Sequence, residues 1–481
     1  MPVAIAAPPA ACANRNNNTI KKLLECVDVE GVREHQAEFQ AIADANDDTR
    51  ASGTNGYDES AAYVAERMEA AGYDVTIQPF DFVRFTEVTP GVLEQTSPAP
   101  GGPLPNIVMT YSGSGEVTAA VTVLPGPTVD ATPGCETTDF PATTAGTIAL
   151  ISRGACPFAL KATNAAGAGA VGVVIYNNIA GDLNGTLGST FDLDIPVTGI
   201  TMELGQQLAA TAGLELRLFT ETLREPGTTS NVLAEKVGKN ADNVVMVGAH
   251  LDSVPEGPGI NDNGSGSAAI LEVAEQMAKV KPQNTLRFAW WGAEEASLVG
   301  SNLYVNTLSE EEFAKIALYL NFDMVGSLNH VFFVYDGDNS DAVGAGPGPA
   351  GSAQIEKKFE EFYNSRSIPF KGTDFDGRSD YQAFILNGIP AGGLFTGAEG
   401  RKTAAEVALW GGTAGEQYDP CYHAACDTFE NVNLDALDTN SDAIAYTTLS
   451  FAMSTEEING VPGKGNFKAQ QLDEEATPDA A

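Results

Sequence analysis

From residue 230 onward, hydrophobic strands alternate with helices, and one strand after another runs straight into a histidine or a carboxylate. The spans 243–249, 285–291 and 316–322 read as apolar strands, and 264–280 and 296–307 carry helical spacing between them. This alternation predicts a largely parallel sheet with helices on both faces. In such sheets, functional side chains gather beyond the carboxyl ends of the strands. Here those ends read Gly248-Ala249-His250-Leu251-Asp252, Trp290-Trp291-Gly292-Ala293-Glu294-Glu295 and Asn321-Phe322-Asp323. The helix at 264 is preceded by Gly259-Ile260-Asn261-Asp262-Asn263.

The chain is too long for one ordinary core. Helical spacing covers 18–44 and 59–71, with Gly72 as a C-terminal cap, and 73–82 alternates like a strand. Near Val88, Pro, Gly and Thr become frequent. Short β-like runs at 107–111, 119–124, 147–151 and 170–176 follow, with a helix over 158–166. This section holds no histidine and few clustered acids, so 88–225 is expected to be an inserted, non-catalytic domain. The remaining boundaries are 1–16 as a remnant or pro-segment, 17–87 with 226–460 as the catalytic domain, and 461–481 as an acidic polar tail.

Composition excludes several partners. Asp and Glu number 64 against 26 Lys and Arg, a net charge of −38 that repels nucleic-acid backbones and favours solubility. No apolar run is long enough for a membrane-spanning helix, so no membrane partner is expected. Six cysteines allow 15 pairings. Pairing between sequence neighbours is expected, Cys12 with Cys26, Cys135 with Cys156 and Cys421 with Cys426, and local disulfides indicate an oxidising, extracellular setting.

Only four histidines occur. His35 lies in a charged helix and is expected at the surface, and His330 opens a strand and is expected to be structural. His250 ends a strand and His423 lies in Cys421-Tyr422-His423-Ala424-Ala425-Cys426-Asp427. Two histidines and three carboxylates converging on one rim suit two divalent ions, and imidazole with carboxylate suits Zn²⁺. The adjacent Glu294-Glu295 pair suggests one ligand and one general base.

These motifs, with Gly377-Arg378-Ser379-Asp380, Gly392 to Gly397 and Trp410 to Gly415, resemble the M28 family of zinc aminopeptidases, most of all secreted bacterial enzymes of the Streptomyces type. Gly154-Ala155-Cys156-Pro157-Phe158 and Ala166 to Ala170 resemble a protease-associated domain. The resemblance implies a three-layer α/β/α zinc-peptidase domain with a β-rich insertion. It implies a secreted aminopeptidase that cleaves the N-terminal peptide bond through a metal-bridged water, with a preference for large hydrophobic first residues. Carried over by position, His250 and Asp323 hold one zinc, Glu295 and His423 the other, and Asp262 bridges them. Glu294 is the general base, Tyr422 helps to stabilise the oxyanion, and Asp252 orients His250 from behind. Arg378, Phe395 and Tyr422 contact the substrate, whose free amino group meets Glu294 and Asp323. The resemblance also implies a cis peptide bond at Asp262-Asn263.

Expected partners are peptides with free N-termini, and the protein is expected to be a monomer. The resemblance also admits calcium as a further ion, for which the sequence identifies no ligands. One departure stands out: Tyr381-Gln382-Ala383-Phe384 replaces the His and Ala-Pro-Phe of the related bacterial enzymes. Two alternatives are a carboxypeptidase of the same fold, resembling glutamate carboxypeptidase, and a non-catalytic binding ectodomain. The first needs a basic cluster for a terminal carboxylate, where only Arg378 and Arg401 stand out; the second normally lacks metal ligands, and all are present.

Overall fold

Alternate residues of the apolar strands point to opposite faces, and both faces are covered. Val245, Val247, Ala249, Leu286, Phe288, Trp290, Leu318 and Leu320 join one buried cluster, and Val244, Met246, Ala289, Trp291 and Tyr319 join another. A sheet dry on both sides explains why these strands read as continuous apolar runs rather than as an alternating pattern. The computed structural model describes residues 12, 15–179, 181–344 and 346–463. The expected segments 1–16 and 461–481 fall largely outside them.

The chain divides into two units, Met1–Phe80 with Thr228–Ala481, and Asp81–Gly227. In the first, the strands Ala391–Phe395, Ile316–Phe322, Asn240–His250 and Asn284–Trp291 lie side by side in that order, all parallel. Phe333–Tyr335 pairs antiparallel with Ala391–Phe395 and parallel with Lys371–Thr373. Residues 232–236 pair antiparallel with Asn284–Trp291 at the other side. The helices Val29–Ala45, Asn55–Ala70, Gly264–Gln276, Ser352–Ser365 and Leu434–Met453 contribute side chains to the larger cluster. This is the three-layer α/β/α arrangement with a mostly parallel sheet.

Helix 18–44 of the sequence reading is in fact two helices, Ile20–Leu24 and Val29–Ala45. Asp28 restarts the chain by accepting a hydrogen bond from the Gly31 N–H at 2.8 Å, and Cys26 in the break is joined to Cys12. Helix Asn55–Ala70 ends where Gly72 takes φ +83°, a left-handed conformation that favours glycine. The strand expected over 73–82 continues as Asp74–Ser97, so the change of texture at Val88 marks composition and not a break in the strand.

In the second unit, Gly115–Val123, Ile148–Ser152, Gly172–Tyr176 and Val197–Ile200 form a parallel run, with helices Phe158–Gly167 and Met202–Ala209. Leu150, Val174, Ile200, Leu208 and Leu216 are among its buried residues. Cys135 and Cys156 are joined here, and Cys421 and Cys426 in the first unit.

Candidate metal centre

The register brings the strand ends together. Trp291 pairs with His250, and Asn321 with Gly248, so His250, Glu294-Glu295 and Asp323 emerge on one rim. Asp262 joins them from the loop before helix Gly264–Gln276. Asn263 caps that helix through its Oδ1, which accepts from the Gly266 N–H at 3.0 Å and the Met324 N–H at 3.1 Å. Gly266 has no alternative, because a Cβ there would lie 2.1 Å from the Phe322 carbonyl oxygen. The glycine lets the helix start press against the end of the Asp323 strand. The Asp262-Asn263 peptide bond is cis.

Ala293, Met324 and His423 all have φ between +53° and +57°. Each is a non-glycine residue in left-handed backbone at or beside a candidate ligand, a conformation that persists only where surroundings hold it. Here they do. Ala293 N–H donates to Ser52 Oγ at 2.7 Å and Glu294 N–H to Asp252 Oδ1 at 3.2 Å. Cys421 and Cys426 close a short loop around His423.

His250 Nε2 lies 3.2 Å from Asp323 Oδ1 and 3.3 Å from Asp262 Oδ1. His423 Nε2 lies 3.2 Å from Asp262 Oδ2 and 3.1 Å from Glu295 Oε2. Two three-residue groups thus share Asp262, each compact enough to hold one cation. The donor set fits zinc: imidazole nitrogens and carboxylate oxygens, with Glu295 Oε1 buried and lacking a hydrogen-bond partner. Electrostatics agrees. Burial opposes charge on His250 and His423, yet the surrounding carboxylates hold both well above the ordinary histidine range. A field that draws protons onto buried imidazoles also draws a divalent cation. Burial, with Glu295 and Asp323 adding to it and His250 opposing, pushes the Glu294 carboxyl well up.

Asp252 lies behind His250, but its main-chain carbonyl makes the short contact with Nδ1, at 3.0 Å, while its carboxylate is 3.8 Å away. Burial pushes that carboxyl up to about 7. Tyr422 stacks on His423 with ring centroids 3.9 Å apart. Its hydroxyl oxygen accepts from Arg378 at 3.2 Å, and burial holds the phenol in its neutral form. Phe395 ends the strand beside the Asp323 strand and stacks on Phe333. Tyr381, at the point of departure noted in the sequence, is buried. Its hydroxyl donates to Asp376 Oδ1 and accepts from the Gly377 N–H, each at 2.8 Å.

Several supporting residues were not singled out from sequence. Asp427 accepts from the Asn261 and Asp262 N–H groups at 2.8 and 2.9 Å. Ser379 donates to Asp323 Oδ2 at 2.6 Å. Glu399 binds the Arg378 guanidinium at 2.7 Å. Arg50, fully buried, donates to the carbonyls of Leu251, Pro258 and Gly259. Ser379 and Asp427 stand inside quoted motifs; Arg50 and Glu399 carry no local signal. His35, expected at the surface, is 1% exposed. One helix face packs it against helix Gly264–Gln276, where its Nε2 lies 3.8 Å from Glu272. His330 is partly buried, and the strand near it begins only at Phe333.

The pattern of peptidase family M28 matches residues 231–448, and that of the PA domain matches 117–208. An aminopeptidase of Pseudomonas aeruginosa is 46% identical, over 93% of this chain and 85% of its own. Leucine aminopeptidase 2 of Trichophyton rubrum is 43% identical, over 89% and 85%. The structure of a zinc aminopeptidase from Bacillus subtilis is similar with a TM-score of 0.61 at 27% identity, over 88% of this chain and 94% of that one.

Proposed function

We infer the reaction from one premise: the chain belongs to peptidase family M28 and is a zinc-dependent metallo-aminopeptidase. Our reading is that it binds two Zn²⁺, one through His250 and Asp323 and one through Glu295 and His423, with Asp262 shared. The observation that carries this is the reach of the two imidazoles to opposite oxygens of a single carboxylate, 3.3 Å to Oδ1 and 3.2 Å to Oδ2 of Asp262. When bound, zinc supplies Lewis acidity that activates water and polarises the scissile carbonyl.

The chain's own groups do the rest. Glu294 accepts the proton of the attacking water and returns it to the leaving amine. Tyr422 is suited to donate to the oxyanion, since Arg378 donates to its oxygen and leaves the phenolic hydrogen free. Glu399 is placed to fix the Arg378 guanidinium. Glu294 and Asp323 are suited to the free α-ammonium group of a peptide. Phe395 and Tyr422 favour a large hydrophobic first side chain, as the name of the Trichophyton relative also suggests. With Arg378 engaged by Glu399, no observation favours a site for a terminal carboxylate.

We also propose that the protein acts outside the cell, supported by its three disulfides, and as a monomer, supported by a site built from one chain. Among the described residues no helix is long and apolar enough to cross a membrane.

The test is hydrolysis of leucine p-nitroanilide beside its N-acetyl analogue, with and without 1,10-phenanthroline. Cleavage of the free-amine substrate alone, abolished by chelator and restored by zinc, is expected. Equal cleavage of both substrates would exclude the aminopeptidase reading.

A further inference from the structure

A second group of carboxylates lies away from the rim described above. Strand Phe333–Tyr335 runs into Asp336-Gly337-Asp338-Asn339-Ser340-Asp341, and helix Ser352–Ser365 brings Glu356 alongside. One oxygen from each of Asp336, Asp338 and Glu356 lies within 4.8 Å of the others. In so acidic a chain, proximity of carboxylates means little by itself. The difference is burial: Asp336 and Glu356 are each 3% exposed. Moreover, Asp336 Oδ1 is buried without a hydrogen-bond partner, while Oδ2 accepts from the Asp341 N–H at 3.1 Å.

The backbone is wrapped around these groups. Glu356 Oε2 accepts from the Gly337 and Asp338 N–H groups at 2.9 and 3.1 Å. Lys357 pairs with Asp338, the more exposed member, at 3.8 Å. Two buried carboxylates side by side are costly unless protons or a cation neutralise them. Burial and the neighbouring Asp338 push Glu356 up to about 8, which expresses the same cost. The donors are all oxygen, with no imidazole or thiolate, and that selects a hard cation. A loop offering several carboxylates suits the adaptable shell of calcium better than the strict octahedron of magnesium.

We propose that Asp336, Asp338 and Glu356 form a Ca²⁺ site, separate from the zinc centre and independent of the reaction assigned to it. The site would brace the neighbouring chain. Asp336 N–H donates to the Thr373 carbonyl at 2.9 Å, and Gly372 N–H donates to Asp341 Oδ2 at 2.7 Å. Strand Lys371–Thr373 leads directly into the segment that carries Arg378.

The test uses the full, zinc-loaded chain in calcium-free buffer, with Ca²⁺ titrated in and Tb³⁺ as a luminescent probe. Tyr335, next to Asp336, serves as sensitiser. Ca²⁺ at a hundredfold excess over its Kd is expected to raise the thermal midpoint by roughly 4 °C. It should also displace Tb³⁺ emission. Asp338→Asn is the main variant because its side chain is partly exposed and folding is least at risk. It should weaken Ca²⁺ by about tenfold or more, through loss of a charged ligand. Asp336→Asn should abolish the response. The sign of the stability change is the sharpest readout. Without Ca²⁺, Asp338→Asn relieves repulsion and should raise or preserve the midpoint; with Ca²⁺, it should lie below wild type. A wild-type midpoint indifferent to Ca²⁺, or a Ca²⁺ shift in both variants as large as in wild type, overturns the proposal.

Discussion

His35 and Glu272 are both nearly inaccessible, and their pairing sets a pH dependence that the rest of the molecule must tolerate. His35 Nδ1 lies 2.7 Å from the Tyr63 hydroxyl, and Gln276 donates to Glu272 Oε1 at 3.0 Å. Gly31 leaves room for the pair, since a Cβ there would lie 2.6 Å from the Glu272 carboxyl carbon. Burial pushes His35 down to about 4 and Glu272 up to about 8, so the neutral pair is favoured near neutrality. Glu275, itself bound by Arg67, together with Asp28 and Glu34, adds negative potential around Glu272. A carboxyl raised in the folded state contributes stability that is complete below its unfolded value near 4.5 and is lost as pH rises through about 8. Glu272→Gln removes that loss. Relative to wild type, its thermal midpoint should therefore rise steadily between pH 5 and pH 8. A midpoint difference that stays flat over that interval would mean that burial does not raise the Glu272 carboxyl and that it is already ionised in the folded protein at pH 5.

The loop that presents Asp262 is held from a distant part of the chain. Asp427 spans two consecutive N–H groups of that loop, and Asn431 donates to it at 3.1 Å. Asp427→Asn replaces one acceptor oxygen with a donor facing an N–H, so the loop should shift and zinc affinity should fall by about 10- to 100-fold. Zinc retained after dialysis against graded chelator measures this; unchanged retention would show that the loop needs no such anchor. The contrast between Asp262 and Asp427 explains what could be read from sequence. His250, Glu294, Glu295 and Asp323 follow strands whose two buried faces make them unmistakable apolar runs, so chain order alone places them on one rim. Asp427 acts across more than 160 residues, and Arg50 across about 200, with no periodicity to announce either. Elements were lost for similar reasons. Phe333–Tyr335 and Lys371–Thr373 have three residues each, too few for a pattern to show. Helix Ser352–Ser365 has a charged outer face that masks the buried Ile355, Phe359 and Phe362. The charged neighbours of His35 hide that it stands on the stripe of Val32, Phe39 and Ile42, the dry side of helix Val29–Ala45.

The charge of the whole chain acts on the substrate before any of these contacts form. With 64 acidic against 26 basic residues, and Arg67, Arg287 and Arg378 among the basic groups already paired with carboxylates, the outward field is strongly negative. Such a field raises the encounter rate of cationic partners and weakens as salt shortens its range, to a Debye length of about 10 Å at 0.1 M. With zinc bound as proposed, the metal centre would contribute little to this long-range term, because the cations would offset its carboxylates. Leu-Lys-Lys and Leu-Gln-Gln share the first residue and the scissile geometry but differ by two positive charges, so their comparison isolates the field. Between about 10 mM and about 0.5 M salt, kcat/KM for the lysine peptide should fall roughly three- to tenfold more than for the glutamine peptide, with kcat little changed in either. An equal decline for both would place the salt effect on the enzyme's own stability or metal content, and the acidic surface would then serve solubility and not substrate capture.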